Sequence, residues 1–512
     1  MADLRIGIDV GGTNTDAVVL DAGGRVIAKA KRPTTPEVTG GLRAALDAVL
    51  AQVEDRSQVT RVMLGTTHAT NAILERRGLG RVAVLRLGAP ATTAVPPLSD
   101  WPDDLRKAVS AGEAIVPGGH YVDGREIGPL DLDAVRSFLD RVQADAVAVT
   151  GVFSPADDAH ERRVAELVAA EYGLPVSVSH EIGSLGLLER ENATVLNAAL
   201  YGVAAHVTDA LTTALAERGL SARPYLAQND GTLMTLEHAA RLPVSTIGSG
   251  PANSLRGAAY LSGVQDAIVV DVGGTSTDLG VLAGGFPRES AAATEIGGVL
   301  TNFRMPDILA IALGGGTVVR PGGVGPDSVG YRIATEALVF GGTTATMTDA
   351  AVAAGRVPAG GEDWPRRLPG GREGTLLRDA VARADEMLAD AVDRMTLGRT
   401  DRPLVAVGGG AFLLPEEIPG ASRVIRPEHA EVANAVGAAI ALASGRVDTI
   451  LPAGESRAQA IESAEEEARA RAVAAGADPS TVEIVDLLEV PLSYLSEPAV
   501  RVHVKAAGPL AR

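Results

Sequence analysis

Short runs of Val, Ile, Leu and Ala alternate along this chain with stretches whose apolar residues recur at helical spacing. A short apolar run bounded by turn residues is typical of a buried strand, whereas the helical spacing is typical of an amphipathic helix. The predicted strands cover 25–30, 62–64, 144–149, 176–178, 223–227 and 404–407, and the predicted helices cover 38–53, 157–172, 191–218, 376–395 and 431–442. Such alternation indicates an α/β fold, in which helices flank sheets.

Two segments interrupt this alternation. Residues 89–129 are rich in Pro and Gly and lack periodicity, so we predict loops there. The last part of the chain has an acidic helix and two strands, at 482–488 and 500–505. The 512 residues are enough for two sizeable domains and an appendage. We expect a first domain over 1–205, a second over 206–450, and a small C-terminal α+β appendage over 451–512.

One octapeptide occurs twice, as Asp9-Val10-Gly11-Gly12-Thr13-Asn14-Thr15-Asp16 and as Asp271-Val272-Gly273-Gly274-Thr275-Ser276-Thr277-Asp278. The two copies agree at seven of eight positions, and apolar runs precede and follow each copy. This is the pattern of a strand, a tight Gly-Gly turn and a second strand. We therefore predict two β-hairpins with the same turn, one in each half of the chain.

Such a turn suits phosphate chemistry. Its backbone N–H groups and its Thr or Ser hydroxyls can bind an anion, and the Asp before the glycines can hold a hydrated divalent cation. Two facing copies would hold the phosphates of one nucleotide from both sides. Asp9 and Asp271 are the predicted metal ligands, and we expect them to be catalytic. The predicted phosphate-binding residues are Gly11, Gly12, Thr13, Asn14, Gly273, Gly274, Thr275 and Ser276.

Other residues are candidates for chemistry near the turns. His68 follows Gly65-Thr66-Thr67 at a predicted helix start, where a neutral imidazole could act as a base or donate to a substrate. A lone His is also often a structural residue. Asp230 lies in a turn after a strand and could be a base. His180 could bind a metal, but a structural place at a strand end is the favoured explanation.

Further polar residues have weaker signals. Asp16 and Asp278, at the far ends of the repeat, either orient the turns or reach the site. Asn71, Glu75 and Arg76 share one predicted helix, where a structural role is at least as plausible as a catalytic one. The run Glu465-Glu466-Glu467 is interpreted as a solvated helix face.

Composition narrows the classes of function. The chain has no cysteine, which excludes a disulfide framework, a thiolate metal site and an iron–sulfur cluster. Its formal net charge of −18 argues against nucleic-acid and anionic-membrane partners. No apolar stretch is long enough to span a bilayer, and no signal-peptide core is present. We expect a cytoplasmic protein.

Two hairpins, a connecting helix and a third glycine turn after a strand resemble the actin-like ATPase superfamily. Its members have two ribonuclease H-like domains with a nucleotide cleft between them, so the resemblance implies this fold, with ATP and Mg²⁺ as cofactors. It also implies that Gly408, Gly409 and Gly410 approach the adenosine, where a side chain would block the backbone.

Within that superfamily the chain resembles the hydantoinase/oxoprolinase family, in segments that follow the family's order from residue 4 to residue 450. The matching segments include Pro33-Thr34-Thr35-Pro36, Gly65-Thr66-Thr67-His68-Ala69-Thr70-Asn71-Ala72, Ser179-His180-Glu181-Ile182, residues 189–198, Ser249-Gly250-Pro251-Ala252 and Gly314-Gly315-Gly316. The chain departs from the family pattern in a Pro-rich segment, 87–114, and in its short tail.

The resemblance implies an ATP-dependent enzyme that activates the carbonyl group of a cyclic amide, such as a hydantoin, 5-oxoproline or another lactam. Phosphorylation of the amide oxygen makes the carbonyl carbon an easier target for water, and a kinase-like site performs that step by positioning and charge neutralisation. The family also includes related carboxylation chemistry. Attack by water usually falls to a second subunit, which is not fused within this sequence.

Two other functions fit the same motifs. A small-molecule kinase of the sugar-kinase type would release a stable phosphorylated product. A non-catalytic, actin-like regulator would bind ATP without turnover stimulated by a small molecule. An ATPase activator of radical dehydratases is excluded, because it needs cysteine ligands.

Overall fold

Strands and helices alternate through the part of the chain that this computed structural model describes, residues 3–34, 38–183, 185–290, 293–399, 401–452, 457–492 and 499–511. The strands are β1 (Leu4–Val10), β2 (Asn14–Leu20), β3 (Val26–Pro33), β4 (Val59–Thr66), β5 (Val82–Ala89), β6 (Ser110–Pro117), β7 (Ala146–Gly151), β8 (Val176–Val178), β9 (Arg223–Ala227), β10 (Leu233–Thr235), β11 (Ala267–Val272), β12 (Thr277–Ala283), β13 (Phe286–Pro287), β14 (Thr294–Ile296), β15 (Val299–Thr301), β16 (Ile308–Ile311), β17 (Thr317–Arg320), β18 (Gly323–Ser328), β19 (Leu404–Val407), β20 (Val424–Ile425), β21 (Ala443–Pro452), β22 (Glu483–Leu492) and β23 (Ala499–Gly508).

The α-helices lie between these strands. They are α1 (Val38–Leu50), α2 (His68–Glu75), α3 (Asp103–Val109), α4 (Leu132–Leu139), α5 (Ala159–Glu171), α6 (Leu187–Ala199), α7 (Tyr201–Glu217), α8 (Leu236–Arg241), α9 (Ser249–Ser262), α10 (Ile333–Glu336), α11 (Met347–Ala353), α12 (Gly371–Thr396), α13 (Ala433–Ile440) and α14 (Arg457–Ala474). Thr35 and Pro36, from one of the family-like segments, lie outside the described residues.

The first sheet contains the first predicted hairpin. Its order is β22-β23-β21-β10-β9-β4-β1-β2-β3, with β1 antiparallel to β2 and parallel to β4. Ile6 and Ile8 of β1 are fully buried with residues of α1 and α7. Gly7 points to the opposite face, where a side chain would collide with Ala435 and Ala439 of α13. Both faces of β1 are therefore covered, which explains its continuous apolar sequence.

The second sheet repeats this arrangement. Its order is β13-β12-β11-β19-β20, and β16 also pairs with β12. The hairpin β11–β12 is antiparallel and β19 lies parallel to β11, as β4 lies parallel to β1. Ile268 and Val270 pack with α11 and α12, whereas Val269 packs with α9 on the other face. Both predicted hairpins and their strand neighbours are present.

A third sheet includes part of the segment for which loops were predicted. Its four parallel strands have the order β6-β5-β7-β8. The prediction of loops throughout 89–129 is wrong, because this segment contains α3 and β6. The strand β6 is a sheet edge with sequence Ser-Ala-Gly-Glu-Ala-Ile-Val-Pro, and most of it is only partly buried. Pairing with β5 therefore forms this strand despite a weak local signal.

The helix predicted over 191–218 is broken. Two helices, α6 and α7, meet at Leu200, whose N–H donates to the carbonyls of both Leu196 and Asn197. The carbonyl of Ala199 instead accepts the N–H of Gly80, at 2.8 Å. A hydrogen bond from a distant part of the chain thus occupies a carbonyl group at the junction of the two helices, which the local sequence does not reveal.

The tail has the predicted helix and two strands, but it forms no sheet of its own. β21 is antiparallel to β23, β23 to β22, and β21 joins the first sheet through β10. The prediction of a separate C-terminal appendage is therefore wrong, because these strands extend the first sheet. β9 and β10, expected in the second domain, also belong to the first sheet. The bounds at 205 and 450 stay predictions.

Among the described residues, no helix is both long enough and apolar enough to cross a bilayer. The expected cytoplasmic location stays a prediction.

Candidate nucleotide site

The two repeated turns have the same backbone geometry. In the first, the N–H of Gly11 donates to the carbonyl of Asn14 at 3.0 Å, and in the second Gly273 donates to Ser276 at 2.9 Å. The flanking carboxylates are paired across the strands in the same register, Asp9 with Asp16 and Asp271 with Asp278. The seven shared residues therefore encode one local structure twice.

The turns face each other. A Cβ atom placed on Gly274 of the second turn would lie 3.5 Å from Cγ2 of Thr13 in the first turn. Gly12 and Thr275 are exposed, so a ligand can reach both turns. Among the described residues, no hydrogen bond takes the N–H of Gly12 or Gly274. Two sets of backbone donors thus point to one shared space, as phosphate binding requires.

Residues outside the two turns donate hydrogen bonds to the carbonyl groups of the turns. The Thr34 hydroxyl donates to Gly11 at 2.8 Å, and its N–H donates to Thr13 at 2.9 Å. In the second turn, Gly315 and Gly316 donate their N–H groups to Gly273 and Gly274, at 3.0 and 2.7 Å. The family-like glycine run 314–316 is therefore a backbone support, because a Cβ at Gly314 would collide with this turn.

The third glycine turn also packs against the second hairpin. Gly410 donates its N–H to Val272 at 2.8 Å, and a side chain at Gly408 would collide with the Asp271 carboxylate. Gly409 is exposed, and a Cβ there would lie 3.9 Å from Cε of Lys31. This turn borders the space between the hairpins. The predicted contact of Gly408, Gly409 and Gly410 with adenosine stays a prediction.

Asp9 is buried and held by two asparagine amides. Asn253 of α9 donates to Oδ1 at 3.3 Å, and Asn434 of α13 donates to Oδ2 at 3.0 Å. Burial, together with the charges of Asp16 and Asp271, raises the pKa of Asp9 to about 6, although the two amides act to lower it. A carboxylate that is crowded by other carboxylates in this way is suited to a cation.

The remaining aspartates complete this group. Ser254 donates its hydroxyl to Asp271, whose pKa is raised by burial and lowered in part by that hydroxyl and by Lys31. Burial, with the charge of Asp271, raises the pKa of Asp278 to about 7. Lys31 lies 2.5 Å from Asp16, so a positively charged side chain stands beside the carboxylates of the hairpins. Sequence reasoning missed Lys31, because β3 carries no motif.

Two helices that touch one another supply the asparagines. A side chain at Gly257 of α9 would collide with the backbone of Ala433, and one at Gly437 of α13 would collide with the backbone of Asn253. This close crossing brings Asn253 and Asn434 to the same carboxylate. Sequence reasoning missed both residues. The signal was present, since Asn253 follows the family-like segment that ends at Ala252, and small residues surround Asn434 in the sequence of α13.

His68 lies beside the first turn, and its surroundings favour the uncharged imidazole. Thr66 bonds to its Nδ1 atom, and burial, with the charge of His206, lowers the pKa of His68 to about 4. The ring lines an almost apolar cavity of about 20 Å³, the size of one water molecule. The helix start at His68 is as predicted. The geometry accounts for a packed, neutral imidazole, and its catalytic role stays a prediction.

Asp230 and His180 lie away from the turns, on another cavity. Asp230 is 2.6 Å from Arg446 and 2.7 Å from Lys505. These two cations, against the effect of burial, hold the pKa of Asp230 far below its usual range, so it is a poor base. His180 lies 2.6 Å from Glu161. The structure does not bring either residue to the nucleotide site.

The helix residues Asn71 and Arg76 have structural contacts. Asn71 donates to the hydroxyl of Thr67 at 3.4 Å, and Arg76 pairs with Asp104 at 3.0 Å. Arg76 also donates to the carbonyl of Gly297. These bonds tie α2 to its neighbours.

One other group has the spacing of metal ligands. Among the described residues, His120, Glu126 and His160 have ligand atoms within 4.8 Å of one another. The N–H of Gly119 donates to Nδ1 of His160, which places the proton of this ring on Nε2, the atom that faces Glu126. A hydrogen bond therefore explains the contact without an ion.

Comparison with known proteins identifies the family. A model of the hydantoinase/oxoprolinase N-terminal region matches residues 5–172, and a hydantoinase/oxoprolinase model matches residues 190–395. The chain belongs to the hydantoinase/oxoprolinase family. The resemblance read from the sequence is confirmed, and the two models together span both repeated turns.

Two relatives illustrate the range of activities in the family. The chain is 30% identical over 394 residues to the acetophenone carboxylase gamma subunit of Aromatoleum aromaticum, a match that covers 69% of this chain and 53% of that protein. It is 29% identical over 390 residues to the caprolactamase subunit alpha of Pseudomonas jessenii, covering 70% and 55%. The chain thus matches about half the length of these relatives.

A solved structure supports the fold. The ATP-dependent caprolactamase of Pseudomonas jessenii superposes with a TM-score of 0.77 at 22% identity, over 99% of this chain and 88% of that one. The predicted α/β class with actin-like ATPase domains is therefore confirmed for this member of the hydantoinase/oxoprolinase family.

Proposed function

We propose that this chain is an ATP- and Mg²⁺-dependent subunit that phosphorylates the carbonyl oxygen of a cyclic amide, such as a hydantoin, 5-oxoproline or another lactam, for ring opening. The observation that carries the proposal is the pair of facing turns, with free N–H groups at Gly12 and Gly274 and carboxylates behind them. Phosphoryl transfer depends on positioning and charge neutralisation, and these turns supply the donors for both.

Mg²⁺ would lie between Asp9 and Asp271, directly or through water. Asp9 is buried and Asp271 is half-buried, and nearby carboxylate charges raise the pKa of each, so a divalent cation would relieve a repulsion that the protein itself creates. Bound Mg²⁺ would neutralise the phosphates of ATP. Lys31 is paired with Asp16 at 2.5 Å. Once the ion is bound, its ammonium group would also interact with a phosphate of ATP.

The hydrolytic step would belong to a separate partner subunit. This chain matches about half the length of its relatives, and the names of those relatives call them subunits. A carboxylase subunit is the second candidate, favoured by the match to the acetophenone carboxylase gamma subunit. Both functions begin with activation of a carbonyl group, so the first half-reaction is shared.

The test is Mg²⁺-dependent ATP turnover by the purified chain with hydantoin, 5-oxoproline, caprolactam and acetophenone, with analysis of ADP and of the organic product. Stimulation by one carbonyl compound is expected, with loss in Asp271→Asn. With a sugar added to the same assay, a stable sugar phosphate would instead indicate a kinase. Tight ATP binding that no compound converts into turnover, even with added bicarbonate, would contradict the proposal and favour a regulator.

A further inference from the structure

A second cavity, of about 650 Å³, lies between the third sheet and the strands of the tail. We call it the polar cavity; its walls include Asp158, His180, Asp230, Arg446 and His503. None of the described residues of the two repeated turns lines it. Its volume is in the range of small-molecule sites. The chain therefore has a second space of ligand size, distinct from the nucleotide site.

The wall on the side of the third sheet carries a histidine with a buried carboxylate behind it. Nδ1 of His180 lies 2.6 Å from Oε2 of Glu161, and the backbone N–H of His180 donates to the same oxygen at 3.0 Å. Glu161 is 1% exposed, whereas His180 reaches the cavity. A carboxylate on Nδ1 fixes the proton there and leaves Nε2 as the basic atom.

The Glu161 carboxylate is held in its charged form. Its other oxygen, Oε1, accepts the N–H of Gly151 at 2.6 Å and the hydroxyl of Ser179 at 2.5 Å. Burial raises the pKa of Glu161, but the bonds from His180, Ser179 and Gly151 outweigh it and lower the pKa overall. Arg190, also buried, donates to Ser179 at 3.0 Å. His180 is thus oriented by a rigid buried network and not by surface contacts.

The opposite wall carries a buried histidine. His503 of β23 is 2% exposed, and among the described residues neither of its ring nitrogens has a hydrogen-bond partner. Its nearest charges are Asp448 at 3.5 Å and Asp486 at 3.7 Å. A buried polar side chain without hydrogen bonds is costly, and a ligand or water in the cavity would satisfy it.

The charges of the cavity suit an uncharged ligand. Each of the five arginines on its walls lies in an ion pair, as Arg446 does with Asp230 at 2.6 Å and Arg162 does with Asp158 at 2.7 Å. No arginine is left to bind an anion. Hydrogen-bond donors and acceptors both line the cavity, so it can accommodate an uncharged molecule with a carbonyl group.

We propose that the polar cavity binds an uncharged ketone or cyclic amide, and that His180, oriented by Glu161, removes the proton next to its carbonyl group. The bond from this proton to carbon or nitrogen breaks, the proton goes to Nε2 of His180, and the electron pair moves to the carbonyl oxygen. The product of this step is the enolate or imidate form of the ligand. The choice of ligand rests on the function proposed above.

One helix connects this cavity to the nucleotide site. Asn229, on the cavity wall, accepts the N–H of Gly248 at 2.8 Å, at the beginning of α9. Asn253 of the same helix donates to Asp9. A ligand that moves the Asn229 turn would therefore act on the helix that positions a nucleotide carboxylate.

The test needs no ATP. Acetone, acetophenone and caprolactam are incubated with the purified chain in D₂O, and exchange of the protons next to the carbonyl group is followed by nuclear magnetic resonance. Binding of each probe is measured by saturation transfer. We expect exchange on the order of 10²-fold faster than in buffer, since general bases act on this scale. His180→Gln should abolish the exchange and keep the binding.

A second variant guards against misfolding of the first. Ala156→Trp fills the polar cavity and should abolish both binding and exchange, whereas Ala159→Trp, exposed on the same segment, should change neither. Wild-type exchange at the buffer rate, or undiminished exchange in His180→Gln, would overturn the proposal. Asp271→Asn separates the two proposals, because it should lose ATP turnover and keep the exchange.

Discussion

The two hairpins have nearly the same sequence and the same fold, but their surroundings differ. Opposite Asp16, in the third strand of the first sheet, stands Lys31; opposite Asp278, in the corresponding strand of the second sheet, stands Ala310. Asp16 lies 2.5 Å from the lysine, whereas burial raises the pKa of Asp278 to about 7. The repeat thus fixes the backbone of a site, and the neighbouring strand decides its charge.

The carboxylates before the glycines differ in the same way. In both halves a glycine on the next parallel strand, Gly65 or Gly408, leaves room for the carboxylate. Asp9, however, is bonded by two helix asparagines, whereas Asp271 is bonded by Ser254. The comparison teaches that duplicated motifs can divide their work, with one copy rigidly placed and the other freer to respond.

The strongest way to break the comparison is to remove each carboxylate charge. Asp9→Asn and Asp271→Asn should each lower ATP turnover roughly 10²- to 10³-fold, the scale seen when one electrostatic group of a catalytic site is lost. If the turns act as a unit, the double variant should lose little more than either single one. Turnover assays and calorimetry with Mg²⁺ and ATP measure this. A single variant with normal turnover would show that its hairpin is dispensable.

A smaller effect separates the supports of the two carboxylates. Asn434→Ala removes hydrogen bonds to both Asp9 and Asp16 and should lower the free energy of unfolding by about 3 kcal/mol. Ser254→Ala removes one bond to Asp271 and should cost about 1.5 kcal/mol. Urea unfolding with unchanged m-values gives both numbers. Equal losses would mean that the two hairpins are held equally firmly.

Another effect depends on pH. Folding keeps a proton on Asp278 up to about pH 7, whereas the unfolded chain releases it near pH 4. The folded state therefore binds the extra proton, and the free energy of unfolding falls as pH rises between these values, by on the order of 1 kcal/mol per pH unit. Asp278→Asn should flatten this dependence.

Ala310→Lys sharpens the same point. Ala310 is exposed, and a lysine there would copy Lys31 of the first half. It should lower the pKa of Asp278 and reduce the pH slope between pH 4 and 7. Well below pH 4, where Asp278 is protonated in both the folded and the unfolded wild-type chain, Asp278 should no longer contribute a pH dependence. Urea unfolding at several pH values measures the slope, and an unchanged slope would assign it to another group.

Local patterns predicted most of the elements that carry the site. Both hairpins were predicted from the repeated octapeptide, and the strands β8, β9 and β19 lie where apolar runs placed them. The residues of β19 are buried on both faces, so hydrophobicity alone specifies this strand, whereas β8 and β9 are only partly buried. The helix α2 at His68 was predicted from the residues that precede it.

The misses depend on contacts between distant residues. The break at Leu200 follows from a bond to Gly80, and the edge strand β6 forms because β5 is beside it. Asn434 reaches Asp9 only because two helices cross closely, a packing that no local window contains. The ion pairs of Asp230 with Lys505 likewise depend on a strand from the other end of the chain.

That strand has a consequence for how the protein is made. β1 and β23 share one sheet. β21 must leave the ribosome before the edge at β10 is covered, and β23 must leave it before the edge at β21 is covered. The second sheet, whose strands lie within residues 267–425, needs no such late strand. The growing chain therefore exposes an open strand edge of the first sheet until synthesis reaches the tail, and such an edge is a site for unwanted pairing with other chains.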